Sequence, residues 1–288
     1  MVRAVARRRR PRLNAWLWIV RLTLYPAVET LFKLRFRGAE HIPADSGAIV
    51  ALNHVSYADF GTSVNFLYGN AARIPRFMIK SGVFKSSFVG HVLRRAGQIP
   101  VERGAATAAD SLKAAAAAAE AGEVVVIYPE GTVTRDPDWW PMVAKTGVAR
   151  LALAADVPVI PVAVWGPQFA VDKYHKKYDL LPRKEVIYQA GPPVDLSAYQ
   201  GKPVTADLLR EVTDTIMRAI RDQLAEIRGE TPPDEFYRRP ETAKPAATPK
   251  PAEDPAAAGS QAKANEPADA PRKAEAGKPA TPTEGSER

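Results

Sequence analysis

Gly47-Ala48-Ile49-Val50-Ala51-Leu52-Asn53-His54-Val55-Ser56-Tyr57-Ala58-Asp59-Phe60 is the stretch from which the rest of the chain can be read. Its apolar first half has the look of a strand buried on both faces, and Asp59 to Leu67 has the spacing of an amphipathic helix. A histidine therefore stands at a strand-to-helix switch with a carboxylate five positions later. In one continuous helix five residues turn through about 500°, leaving the two side chains roughly 140° apart. They meet only if His54 lies in the turn and Asp59 in the first turn of the helix. So placed, the carboxylate can hold the imidazole in one tautomer while the other ring nitrogen takes a proton. A lone His near a lone Asp is, on the other hand, usually a capping or surface arrangement.

Outward from this switch the chain alternates. Phe36 to Asn53 reads as strand, turn, strand, with the turn marked by Gly38, Pro43, Asp45 and Gly47. Further strands are expected at Arg76–Lys80, Gln98–Glu102, Val124–Tyr128, Val157–Val164 and Lys184–Gln189. Helices are expected at Val89–Arg95, Ala105–Ala121, Val143–Ala155 and Thr205–Arg228. In the last, Leu208, Leu209, Val212, Ile216, Ile220, Leu224 and Ile227 form one apolar stripe. Such alternation predicts an α/β fold: an open, mixed, mostly parallel sheet with helices on both faces. Pro158 and Pro161 argue that their strand is irregular or at an edge.

The two ends differ from the middle. Residues 1–34 open with Arg3, Arg7, Arg8, Arg9, Arg10 and Arg12, followed by an apolar run with Trp16 and Trp18 that Arg21 interrupts. The run is too short to span a bilayer, and basic residues beside tryptophans and leucines suit an element lying among lipid headgroups. No small-residue cleavage site follows, as a secretory signal would require. Residues 35–229 form the expected α/β domain. From 230 to 288 Pro, Ala, Lys, Glu and Thr dominate and large hydrophobes stop at Tyr237, so a disordered tail is expected. That tail carries nine Lys/Arg and eleven Asp/Glu; with +8 for the whole chain, the remainder holds +10 and suits an anionic partner. The chain has no cysteine, which excludes disulfides and thiolate chemistry.

Three blocks follow Asn53-His54-x-Ser56-x-x-Asp59 in order: Gly97-Gln98-Ile99-Pro100-Val101-Glu102-Arg103, Pro129-Glu130-Gly131-Thr132, and Val157-Pro158-Val159-Ile160-Pro161-Val162. Over roughly residues 35 to 200 the ordered set resembles the glycerolipid acyltransferase family, in particular its 1-acylglycerol-3-phosphate acyltransferases. A bare H-x4-D pair is weak; the ordered set is specific. The resemblance implies His54 and Asp59 as the catalytic pair. It implies Arg103 as a grip on the acceptor's phosphate, with Lys80 as a second contact; the guanidinium fork suits phosphate oxygens. It implies Glu130, Gly131 and Thr132 as an acceptor-binding turn, with Glu130 accepting hydrogen bonds from the acceptor or fixing a neighbouring cation. Relatives often place arginine directly after the threonine; here Val133 and Thr134 intervene before Arg135, whose reach to the phosphate is left open.

The reaction so implied is acyl transfer from a thioester to the hydroxyl of 1-acylglycerol-3-phosphate, with His54 as general base. Glycerol-3-phosphate or another lysolipid or glycolipid is the alternative acceptor. The partners implied are an acyl-CoA or acyl-carrier protein as donor substrate, a phosphorylated glycerolipid, and an anionic membrane surface, on the cytoplasmic face. No cofactor, metal or nucleic acid is expected, since only His54, Asp59 and Glu130 converge and no nucleic-acid motif is present. Two rivals predict different behaviour: a basic membrane-binding module that does not need His54, and a lipid hydrolase that passes the acyl group to water.

Overall fold

The structure, a computed structural model, describes residues 11–102 and 105–238. The expectations for the arginine-rich residues 1–10, for Arg103 and for a disordered tail over 239–288 fall outside the described residues. One seven-stranded sheet organises the rest. Its strands are β1 (Phe32–Arg37), β2 (Ala48–Leu52), β3 (Pro75–Lys80), β4 (Ile99–Val101), β5 (Val124–Ile127), β6 (Val159–Trp165) and β9 (Lys184–Ala190). A separate two-stranded hairpin joins β7 (Val171–Asp172) to β8 (Lys177–Tyr178). The spatial order is β1-β9-β6-β2-β5-β3-β4. The five strands from β6 to β4 run parallel; β9 is antiparallel to β6 and carries β1 parallel to itself. The sheet is thus mixed and mostly parallel, as the alternation of elements predicts.

The central strands are apolar at every position because both faces are covered. In β2 the side chains of Val50 and Leu52 enter one core and Ile49 and Ala51 the other; Val126 and Val125 of β5 divide the same way. The first face is covered by α1 (Ala15–Leu31) and α2 (Asp59–Val64). The second is covered by α4 (Ala105–Glu120), α5 (Gly147–Ala154) and α6 (Ala206–Arg228), while α3 (Ser87–Arg95) packs beside α1. The predicted stripe of α6 is buried from Leu208 to Leu224, its first turn is capped by the Thr205 hydroxyl, and Gly229 closes it at φ +65°. Gly47 enters β2 under the end of α4, where a Cβ would lie 1.7 Å from the Ala119 carbonyl oxygen. No larger residue fits there.

Four features depart from the sequence reading. β6 is an interior strand, not an edge. Its Pro161 is tolerated because its carbonyl takes the Gly191 amide just where the β9 ladder ends, so the missing N–H faces that end and not β2. Pro158 precedes the strand. The helix expected from Val143 begins only at Gly147, because the amides of Met142, Val143 and Lys145 are taken by Glu130, Tyr237 and Pro129. The helix after His54 is α only to Val64 and then widens into a π turn through Asn70, which keeps Phe66 and Leu67 fully buried. Packing also continues beyond Gly229: Tyr237 bridges to Met142, and Arg221 donates to the Pro233 and Asp234 carbonyls.

Candidate active site

In a parallel sheet the carboxyl ends of the strands share one edge, and loops there gather side chains from distant sequence. β2 delivers His54 to that edge, β5 delivers Tyr128 and the Pro129–Thr132 turn, and β3 delivers Lys80. The turn at His54 is built by side chains that replace ladder bonds. Beyond Leu52, the Asn53 amide takes over: its Oδ1 accepts from the Val164 N–H at 2.8 Å and its Nδ2 donates to the Val164 carbonyl at 3.0 Å. The main chain is thereby released from β6 and free to turn.

Asp59 then fixes the turn from the other side. Its Oδ2 accepts the amides of Val55 at 2.7 Å and Ser56 at 2.9 Å, and lies 2.8 Å from His54 Nδ1. Its other oxygen, Oδ1, is buried and has no hydrogen-bond partner among the described residues. Asp59 is fully buried, whereas the His54 side chain keeps 17% of its surface exposed. Because Oδ2 is already an acceptor for two amides, the facing ring nitrogen is placed to donate its proton, leaving Nε2 with a free lone pair. The Ser56 hydroxyl donates to the Val171 carbonyl at 2.8 Å and accepts from the Ala58 amide, so it is not a free nucleophile.

Tyr128 stacks on the imidazole, with centroids 4.4 Å apart and planes at 28°. Its hydroxyl meets Ser63 Oγ at 3.1 Å, which meets the Tyr188 hydroxyl at 3.0 Å; the latter also touches Thr62 and the Asp59 carbonyl. Burial, followed by the nearby Asp59 charge, pushes both phenols above their ordinary range. Both remain protonated, and the Tyr188 hydroxyl donates to the Asp59 carbonyl at 3.2 Å.

Glu130 differs from the expected acceptor contact. One carboxylate oxygen accepts the His54 amide at 2.9 Å and the other the Met142 amide at 3.1 Å, and the residue is only 3% exposed. It fixes the backbone of the His54 turn, each of its oxygens being taken by a main-chain amide. Burial pushes its pKa up to about 8, outweighing the lowering by the amides of Met142 and His54. The Thr134 amide donates to the His54 carbonyl at 2.7 Å, a second tie between the two turns.

The other sequence-predicted residues lie around this core. Gly131 has φ +69°, and a Cβ there would press on the Lys145 side chain at 3.2 Å. Thr132 is half-buried and accepts from Lys173 Nζ at 3.4 Å. Lys80 ends β3, exposed, in register with Val101 of β4; Arg103 is outside the described residues. Val133 is fully buried, and Arg135 is exposed over the Tyr174 ring at 5.4 Å. Lys145 and Lys173 were not singled out by sequence. Lys173 sits in the run Asp172-Lys173-Tyr174-His175-Lys176-Lys177, where nothing local distinguishes one lysine from the next. Among the described residues no group of three His, Cys, Asp or Glu is placed to hold a metal.

A histidine held by a buried carboxylate on the open edge of such a sheet, without a free serine or cysteine beside it, suits an acyltransferase. Residues 33–165 match the family model for Acyltransferase, and the protein is an acyltransferase. Curated relatives named 1-acyl-sn-glycerol-3-phosphate acyltransferase include one from Bacillus subtilis (strain 168), 27% identical over 151 residues, covering 52% of this chain and 72% of the relative. Another, from Salmonella typhimurium, is 29% identical over 191 residues, covering 64% of this chain and 71% of the relative. The crystal structure of the 1-acyl-sn-glycerophosphate (LPA) acyltransferase from Thermotoga maritima shares the fold with a TM-score of 0.53, at 23% identity, over 73% of this chain and 80% of that one. The match over residues 33–165 and these relatives make the chain similar to the 1-acylglycerol-3-phosphate acyltransferases of the glycerolipid acyltransferase family.

Proposed function

We propose that this chain transfers an acyl group from an acyl thioester, of coenzyme A or acyl-carrier protein, to the free hydroxyl of 1-acylglycerol-3-phosphate, giving phosphatidate. One contact carries the reading: His54 Nδ1 at 2.8 Å from a fully buried Asp59, with the imidazole partly open to solvent. In this mechanism Nε2 takes the hydroxyl proton as the oxygen attacks the thioester carbonyl, and Asp59 stabilises the imidazolium that forms. As the tetrahedral intermediate collapses, the proton passes to the departing thiolate. Glu130 and Asn53 keep the turn from drifting, which matters because general-base catalysis depends on alignment. Lys80 and Arg103 are proposed to attract the acceptor's phosphate.

An apolar cavity supports placing an acyl chain next to this site. It is lined by Leu17, Val20 and Leu24 of α1, Phe60 of α2, Phe77 of β3 and Val92 of α3. Phe60, Phe77 and Tyr128 form a run of ring contacts from that cavity to His54, at 4.7, 6.5 and 4.4 Å. At the surface, α1 and α3 expose Trp18, Leu22, Phe88 and Val89, with Arg94 and Arg95 closing α3. No helix among the described residues is long and apolar enough to cross a membrane. We therefore propose that this face rests on an anionic membrane, on its cytoplasmic side, and draws its lipid from there. No cofactor takes part in this scheme.

The test is thiol release from acyl-CoA and from acyl-carrier protein, offered with 1-acylglycerol-3-phosphate, glycerol-3-phosphate, an uncharged monoacylglycerol, or no acceptor. Turnover fastest with 1-acylglycerol-3-phosphate is expected. Equal release with no acceptor present would identify a hydrolase, and a clear preference for glycerol-3-phosphate would replace the acceptor.

A further inference from the structure

We propose that Lys173, on the β7–β8 hairpin, is a phosphate-binding residue of the acceptor site; this rests on the acceptor reading above. Its ammonium group is placed between two separate parts of the site. Nζ donates to Thr132 Oγ1 at 3.4 Å, and it lies over the Tyr57 ring at 4.8 Å and the Tyr174 ring at 5.1 Å. Tyr57 belongs to the His54 turn. Tyr174 is tied to the Glu130–Thr134 turn, its hydroxyl donating to the Val133 carbonyl at 2.7 Å.

The hairpin is anchored at its other end as well, since the Val171 carbonyl takes the Ser56 hydroxyl at 2.8 Å. Lys173 is thus held against both turns by contacts on each side. Its charge, however, is not neutralised there. Among the described residues no carboxylate lies within 4.0 Å of Nζ. The adjacent Asp172 is occupied by the His175 ring and by the amides of Tyr174 and His175.

A half-buried ammonium without a counterion is costly unless an anion joins it. Ring faces and one hydroxyl solvate it only in part, and an ammonium has three protons, so two stay available to a ligand. The ligand that fits is dianionic and tetrahedral: a phosphate monoester able to take protons from Lys173 and Thr132 together. Bound there, it would stand beside the turn that carries His54, with its carbon chain free to lead toward the imidazole.

The experiment uses the full chain as wild type, Lys173→Met, Lys173→Arg and, as a control on the same hairpin, the exposed Lys177→Met. Affinity for octyl phosphate, which has no acceptor hydroxyl, is measured by calorimetry against octanol, alongside the acceptor KM. Losing one charged hydrogen bond predicts about ten- to a hundred-fold weaker octyl phosphate binding in Lys173→Met, and a KM rise of the same size. Octanol binding stays as in wild type, Lys173→Arg recovers most of the affinity, and Lys177→Met is unchanged. Octyl phosphate affinity in a folded Lys173→Met equal to wild type would overturn the assignment. Lys173-dependent octyl phosphate binding without acylation of 1-acylglycerol-3-phosphate would uphold it and discard only the acceptor reading.

Discussion

Replacing Asp59 by Asn separates a carboxylate that works in catalysis from one that merely caps a turn. Oδ2 receives three donors: the Val55 and Ser56 amides and His54 Nδ1. Asparagine keeps an acceptor oxygen and nearly the same shape, so all three bonds can persist as neutral ones. Each charge-assisted bond is worth about 1 kcal/mol more than its neutral counterpart, so the substitution costs on the order of 3 kcal/mol. For a domain of this size that is a fall in Tm of about 6–12 °C. The effect on rate is separate. Without a negative charge on Asp59 the imidazolium formed during proton transfer loses its partner, and kcat drops by about a thousand-fold or more. Thermal unfolding followed by circular dichroism gives the first quantity. Acyl transfer measured well below the lowered Tm, with saturating donor and acceptor, gives the second. If Asp59→Asn melts earlier yet keeps kcat within about ten-fold of wild type while folded, Asp59 is a cap and the dyad reasoning fails.

Three further tests address neighbouring parts. For Glu130, the native pKa of about 8 lies above the ordinary carboxylate value of 4.5, so the folded state holds the proton more tightly. Its contribution to stability is then fully present below pH 4.5 and is lost as pH rises toward 8, a swing on the order of 5 kcal/mol. Wild type should therefore gain stability over Glu130→Gln as pH falls from 8 to 5, and a Tm difference that does not change with pH contradicts this. Tyr128→Phe keeps the stack on His54 and should lower kcat only slightly, whereas Tyr128→Ala should lower it about ten-fold by freeing the ring; equal effects would refute a role for the stacking. Changing Trp18, Leu22 and Phe88 together to Ser should weaken co-sedimentation with phosphatidylglycerol vesicles at least about a hundred-fold, and unchanged sedimentation would place the membrane contact on another face.

The sheet was legible because its central strands are buried on both faces and therefore read as unbroken Val/Ile/Ala runs. The stripe of α6 was legible for the same reason, as one face set against a core. What escaped the sequence was decided by partners far along the chain. Pro161 looks like an edge residue until β9 is seen to end beside it. Val143 continues an apolar helical pattern, but its amide belongs to Tyr237. The β7–β8 hairpin has two residues per strand, too few to show any alternation.

The site divides in the same way. His54 and Asp59 are five residues apart, so local geometry alone could bring them together. Glu130 is tied to His54 across 76 positions and its second oxygen to the Met142 amide, neither of which a motif reveals. Lys173 is one of three lysines in six residues, and it is distinguished by the Thr132 hydroxyl and the rings of Tyr57 and Tyr174.

The central claim is that the His54 imidazole removes the acceptor's proton, and His54→Ala tests it most directly. Purified full chain would be assayed for transfer from acyl-CoA to 1-acylglycerol-3-phosphate, with circular dichroism and melting recorded on the same preparation. The account predicts a folded protein whose kcat has fallen by about a hundred- to ten-thousand-fold with little change in acceptor KM. Turnover at the wild-type rate in that preparation would contradict it.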